Sequence, residues 1–311
     1  MKKLWSELTL LVKLCVILVC AVLFIVAFAD FLMPYDPDKV NLLSRNTPPV
    51  FMGGHSSHFL GTDQLGRDVL SRILYGTRIS IGMALFGLLI GCSFGLSLGL
   101  TAGYFGGWWD RSVLMLINFQ QAIPFTFFVL FAVVVFGRGI PVLMVVVGLA
   151  RWETYAKMIR GLVLSIKKKQ YVEAAKCYNA STIRILVRYI APGLRTCLVV
   201  LLTLNFPAVM LIEASLSFIG IGVQPPTATL GQMVGTGRNF LVIAPWISVA
   251  PAIMIVLIAY CIQHIGEHMR ERFDVRYLDK LGGRRVYGIK SQKPEGRTEE
   301  QAVCFIPGEE C

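Results

Sequence analysis

Charge is what this sequence has least of. Only 16% of its 311 residues are Asp, Glu, Lys or Arg, against roughly 25% in an average soluble protein. Of those few, 18 lie in the last 46 positions, so the rest of the chain is poorer still. With 55% hydrophobic residues, this balance excludes a disordered chain, a collagen-like repeat and a small disulfide scaffold. No CxxC pair occurs among the eight cysteines, and none of them falls in a segment assigned below to the outside. Neither a disulfide framework nor a zinc knuckle is expected. There is also no G-x-x-x-x-G-K-[ST] loop, so the chain has no nucleotide-hydrolysing site of that kind.

Long apolar runs take the place of charge. Crossing a bilayer takes about 20 apolar residues, and candidates fall near 11–33, 79–104, 112–136, 139–156, 196–219 and 241–265. The fourth is interrupted by Arg151. It is kept because an even number of spans puts both termini and the main basic loop on one side. The expectation is an all-α polytopic membrane protein with about six transmembrane helices.

The net charge of +11 is concentrated. Between Arg151 and Arg195 stand ten basic residues and only two acids, Glu153 and Glu173. A basic loop between apolar blocks marks the cytoplasmic side and contact with anionic lipid, in preference to nucleic acid. With six spans, 23 basic residues fall inside and 7 outside. Both termini are then cytoplasmic, in a multi-pass protein of the plasma membrane. Residues 1–33 form a tail and first span, and 34–75 an outer loop. A core follows over 76–276, with a cytoplasmic loop at 157–192 and a mobile tail at 277–311. Ala27-Phe28-Ala29 resembles a signal-peptide cleavage site, but the apolar run continues through Phe31, Leu32 and Met33, which favours a retained span.

Inside the second span Gly87, Gly91, Gly95, Gly99 and Gly103 recur every fourth residue. Four helical steps return nearly to the same face, so these residues make a groove that another helix backbone can enter. Pro124, Pro207 and Pro251 sit within spans, where the missing amide donor allows a kink. Glu213 is the one acid well inside a span. Such a carboxylate is a functional suspect by default, although Ser215 and Ser217 offer it a purely structural role. Ahead of the second span, Gly61-Thr62-Asp63 and Gly66-Arg67-Asp68 make a polar turn. The spacing of Leu65, Val69, Leu70, Ile73 and Leu74 predicts a short interfacial helix. Asp63 and Asp68 have no neighbouring nucleophile, so turn and helix-start roles are favoured over catalysis.

In the basic loop, Gln170 to Ser181 reads as a short helix, a tight turn and the start of a second helix. Ala174 and Ala175 present little bulk, Asn179 tolerates a left-handed conformation, and Ser181 can cap the next helix. The apolar residues of that helix are Ile183, Leu186 and Ile190, and Pro192 closes the segment. A small-residue helix of this kind suits docking against another protein. His264, Glu267 and His268 fit H-x-x-E-H, an inverted zinc-protease pattern. Gly266 weakens that helix and no third ligand is evident, so an intramembrane zinc metalloprotease is a distant alternative. His55 and His58 lie in an outer loop that reads as solvated.

Tyr171, Glu173-Ala174-Ala175, Asn179 and Ile190-Ala191-Pro192 resemble the coupling motif of ABC-importer permeases. Asn179 stands where glycine is usual, and Ala191 where leucine is usual. Leu60 to Arg72, Glu213 to Gly220 and Ala244-Pro245-Trp246 are similar to signatures of the peptide/nickel group of such permeases, with Leu230-Gly231 in place of the usual tryptophan-glycine. The likeness covers about 60–276. It implies a type I importer permease that carries peptides, or alternatively nickel or another small solute. The implied partners are a second homologous permease subunit, two cytoplasmic ABC ATPase subunits and an extracytoplasmic substrate-binding protein. It also implies no cofactor bound by this chain, with ATP used by the partners.

Overall fold

The structure is a computed structural model that describes residues 9–282 except 55 and 138, with side chains described through 272. The chain divides at Glu271. Residues 272–311 form a second unit, whose described part is helical backbone as far as Gly282. The rest of the expected tail, together with His55, Arg138 and the two N-terminal lysines Lys2 and Lys3, lies outside the described residues.

Regular structure among the described residues is helical. Helix α1 spans Leu10–Leu32 and is interrupted at Phe28, whose φ/ψ is non-helical. Helix α2 spans Val69–Phe105. At about 1.5 Å per residue it is roughly 55 Å long, well beyond a hydrocarbon core of about 30 Å. It ends at Gly106, where φ is +68°, a conformation that glycine adopts without strain. Helices α3 (Gly107–Ala122) and α4 (Phe125–Phe136) follow, then α5 (Ile140–Leu149) and α6 (Trp152–Lys167). The short α7 spans Gln170–Cys177. Helix α8 covers Thr182–Ile219 and contains a π-helical turn at Ile185–Ile190. Helix α9 spans Leu230–Gly237 and α10 begins at Trp246.

Four of these helices (α1, α2, α8 and α10) are long and apolar enough to cross a membrane, or five spans if α3 and α4 count as one. The expected third span, 112–136, is a pair bent by 92° at Ile123-Pro124, where proline removes a backbone donor. The expected fourth, 139–156, is two helices separated at Ala150-Arg151. No separate interfacial helix forms at Leu65–Leu74. Asp68 caps a helix that runs from Val69 directly into the span. Pro192 does not close its segment either: it lies in the first turn of the α-helical part of α8, Ala191–Ile219, where a missing amide is tolerated.

The five spaced glycines of α2 face α5 and α6, and this face makes the most extensive helix contact among the described residues. A Cβ on Gly91 would overlap the carbonyl of Gly148. One on Gly95 would lie 2.6 Å from Tyr155 Cβ, one on Gly99 2.6 Å from the Ala156 carbonyl oxygen, and one on Gly103 2.8 Å from Val163 Cβ. Hydrogen in place of a side chain brings the backbones into van der Waals contact, which drives association where lipid is as apolar as the helices. Tyr155, Ile159 and Val163 of α6 are fully buried against this groove. Gly82, in the same helix, has open space where its Cβ would be.

Replacing Gly95 or Gly99 with leucine should therefore destabilise the protein by at least ~1–3 kcal/mol, the usual cost of overpacking. Gly82→Ala should stay within about 0.5 kcal/mol. Thermal unfolding of the detergent-solubilised chain measures both; equal losses at Gly82 and Gly99 would refute the close-packed groove.

Candidate functional site

Two polar assemblies occupy opposite ends of α2. The first is built from the polar turn before the helix. Gly61 and Gly66, at φ of +75° and +74°, fold the chain back so that Thr62 bridges to Asp68. Asp63 is buried. Its Oδ1 accepts from the amides of Leu65 and Arg67, both at 2.9 Å, while its Oδ2 accepts from Arg67 Nε at 2.7 Å and lies 3.8 Å from Arg72 Nε. Arg72, also buried, donates to the Pro37 carbonyl at 3.0 Å and to Asp38 at 3.3 Å. Asp68 caps α2 by accepting from the amide and hydroxyl of Ser71, both at 2.8 Å, and its other oxygen meets His58 Nδ1 at 2.9 Å. His58 is thus not solvated: its side chain is 15% exposed, and its ring packs on Tyr35 with centroids 4.8 Å apart. Neither aspartate is left with a free face for acid–base chemistry. Trp246 Nε1 donates to the Thr62 carbonyl at 3.1 Å, which ties this knot to the start of α10.

Glu213 accepts from two helices and is linked through one of them to a third. Ser217 of α8 donates to Oε1 at 2.9 Å, and Ser80 of α2 donates to Oε2 at 3.4 Å. The Ser80 hydroxyl in turn accepts from the Leu230 amide that opens α9 at 3.1 Å. Ser215, the other expected neighbour, instead donates to the Leu211 carbonyl at 2.7 Å. Glu213 therefore joins helices, as buried polar groups must when no water reaches them.

The second assembly begins where α6 runs beside the far end of α2. Arg160 grips Asp110 of α3 through both Nε and Nη2, the latter at 2.6 Å, and this hydrogen bonding holds its guanidinium above the ordinary range. Lys167 reaches back to the Tyr104 carbonyl. After Lys168 and Lys169 the chain turns into α7, whose Val172 and Ala175 join Ile166, Ile185 and Ile190 in the core. Ala175 thus faces inward, unlike Ala174, which is exposed with Tyr171 and Glu173. Asn179 adopts φ +54°, and the Ala180 amide closes back on the Ala175 carbonyl at 3.1 Å, a Schellman-type end. Tyr178 stands 89% exposed beside this turn. Ser181 occupies the cap position of α8, but its side chain caps nothing. Over Thr182–Ile190 the buried residues are Ile185 and Ile190, whereas Ile183 is exposed.

The zinc alternative is not assembled. The His264 ring packs edge-on against Tyr260, Glu267 accepts from Gln263 at 3.0 Å, and no three potential ligands converge among the described residues. Sequence reasoning missed Arg151 and Asn205, which bond at 3.1 Å. It read Arg151 only as an interruption, yet a charge in an apolar run was itself the available signal.

Removing the Asp63 carboxylate strands two buried guanidinium groups, so Asp63→Ala should cost ~3–5 kcal/mol. Asp68→Ala, which loses a cap and a histidine contact, should cost ~1–3 kcal/mol. Thermal unfolding of the purified chain reads both, and near-zero losses would show that the knot does not hold the helix.

Residues 95–275 match the family described as binding-protein-dependent transport system inner membrane component. The glutathione transport system permease protein GsiD of Escherichia coli O6:K15:H31 (strain 536 / UPEC) is 36% identical over 79% of this chain and 80% of its own length. The oligopeptide transport system permease protein OppC of Escherichia coli (strain K12) is 35% identical over 83% of this chain and 84% of its own. Among solved structures, an inward-facing MetNI methionine ABC transporter superposes with a TM-score of 0.53 at 20% identity. That match covers 65% of this chain and 96% of the other, a likeness of fold. The chain belongs to the binding-protein-dependent transport system inner membrane component family, as a multi-pass permease of an ABC transporter in the bacterial inner membrane.

Proposed function

We propose that this permease forms half of a translocation pathway for small peptides, paired with a second homologous permease subunit. In this reading α7 is the lever on which a cytoplasmic ABC ATPase subunit docks, one on each permease. A substrate-binding protein delivers peptide from the opposite face. Both termini and α7 are cytoplasmic, as the basic excess between Arg151 and Arg195 favours. The chain supplies no ATP site and binds no cofactor of its own; hydrolysis belongs to its partners. Peptide cargo is supported by the relatives, whose names specify glutathione and oligopeptide transport.

One observation carries the docking assignment. Helix α7 is anchored on one face by Val172 and Ala175 and offers Tyr171, Glu173, Ala174 and Tyr178 on the other. A two-turn helix with exposed aromatics around a small residue has the composition of an interface hot spot. Glu173 is placed to meet a basic group, and Ala174 leaves room for close approach. Asn179 and Pro192 shape the turn and the helix that follow, as positioning residues. Because α6 and α7 connect through only Lys168 and Lys169, a pull on the lever passes directly into α6 and its packing against α2.

Glu173→Lys and Ala174→Arg should reduce uptake of a labelled peptide by roughly tenfold or more while membrane insertion is unchanged. Tyr178→Ala should weaken capture of the ATPase subunits by about tenfold. Uptake assays on cells, with membrane yield as control, read the first pair, and co-purification reads the third. Wild-type uptake in both charge variants would refute docking at α7.

A further inference from the structure

Both chain breaks in the middle of the molecule border one cavity of about 560 Å³. Phe119, Gln120, Pro124 and Phe128 line it from the bend between α3 and α4, and Arg151 and Glu153 line it from the start of α6. Broken helices lining a cavity are the arrangement in which transporters place solute sites, because the interrupted backbone and its polar groups then face the solute.

The cavity holds two opposite charges, neither neutralised. Arg151 donates through Nη2 to Asn205 Oδ1 at 3.1 Å, but its Nε is buried with no partner. Glu153 is 8% exposed; Oε1 accepts from Thr154 at 3.2 Å, and Oε2 is buried with no partner. Neither is in an ion pair among the described residues, with each other or with any other group. The polar groups around them are themselves hydrogen-bonded. Asn205 is held by the Leu201 carbonyl at 2.8 Å. Gln120 donates to the Leu149 carbonyl at 2.9 Å and accepts from Trp152, which braces the break itself. An unpaired buried charge is costly, and here a cation and an anion stand fixed two residues apart, their free atoms waiting for complementary groups. The sixteen-residue α6 also directs its positive N-terminal end at this place, which favours an anion beside Arg151.

We propose that this cavity is a solute-contact site for a zwitterion. Arg151 Nε and the start of α6 receive a carboxylate, and Glu153 Oε2 receives an ammonium group. Asn205 and Gln120 are positioning residues. The solute class is a small peptide with both termini unblocked, so this assignment rests on the peptide-permease reading above. A neutral solute leaves both charges stranded, and a simple ion answers only one of them.

The test uses the complete transporter, co-purified with its partners and reconstituted in vesicles, and compares uptake of a free tripeptide with its C-amidated and N-acetylated forms. Wild type should favour the free peptide. Arg151→Gln should lower free-peptide uptake about tenfold and abolish the distinction from the amidated form, and Arg151→Lys should restore part of it. Glu153→Gln should do the same for the acetylated form. Wild-type import of all three peptides at equal rates, or variants that keep wild-type ratios, overturns the site while leaving the peptide reading intact. Loss of subunit assembly with unchanged ratios in the residual uptake also overturns it, by assigning the charges to a subunit contact. If Arg151→Gln yields no complex, the isosteric Glu153→Gln decides alone. A wild type that imports none of the three contradicts the peptide reading itself, and the site with it.

Discussion

The close approach of α2 to α5 and α6 is the contact on which the rest of the molecule depends. It exists because Gly91, Gly95, Gly99 and Gly103 carry no side chain where the carbonyls and Cβ atoms of Gly148, Tyr155, Ala156 and Val163 lie. Between helices in lipid, packing and hydrogen bonds must do what hydrophobic exclusion does in water. With α6 laid along α2, Arg160 reaches Asp110 and Lys167 reaches Tyr104, so α3 and the end of α2 are bound to the same rod. Helix α7 projects from the end of that rod. Widening the groove by a methyl group would shift the rod, the lever and the cavity at Arg151 together.

At the other end of α2, polar groups do the joining. The Asp63–Arg67–Arg72 cluster and the Asp68 cap fix the entry of the helix, and Trp246 attaches α10 to the same turn. Ser80 connects Glu213 of α8 with the first amide of α9. These groups are buried and answered, so they act as rivets between elements. Arg151 and Glu153 differ in that each keeps one buried atom, Nε and Oε2, without a partner. On the proposal above, those two atoms are the ones left for an arriving solute.

Much of this was legible in the sequence, for identifiable reasons. A four-residue glycine spacing has one geometric meaning on a helix, and Asn179 in a short turn has a preferred backbone region. The four long spans followed from apolar length alone. The broken segments were only flagged, by Pro124 within 112–136 and Arg151 within 139–156, because one proline or one charge lowers apolar content only slightly and does not say whether a span bends or divides. The inward turn of Ala175 and the exposure of Ile183 were hidden for a different reason: which face of a short helix is covered is set by the elements it packs on, not by its own few residues. His58 read as loop because its partner Asp68 is ten residues away and was already assigned as a cap.

On the proposed function, everything hinges on which side of the membrane α7 occupies. Cys177 closes that helix and is exposed, so a variant retaining it as the sole cysteine reports the side through a membrane-impermeant thiol reagent. The account predicts labelling in inside-out vesicles, slowed when the ATPase subunits are present, and no labelling in intact spheroplasts. Modification of Cys177 from the outside of intact spheroplasts would contradict it.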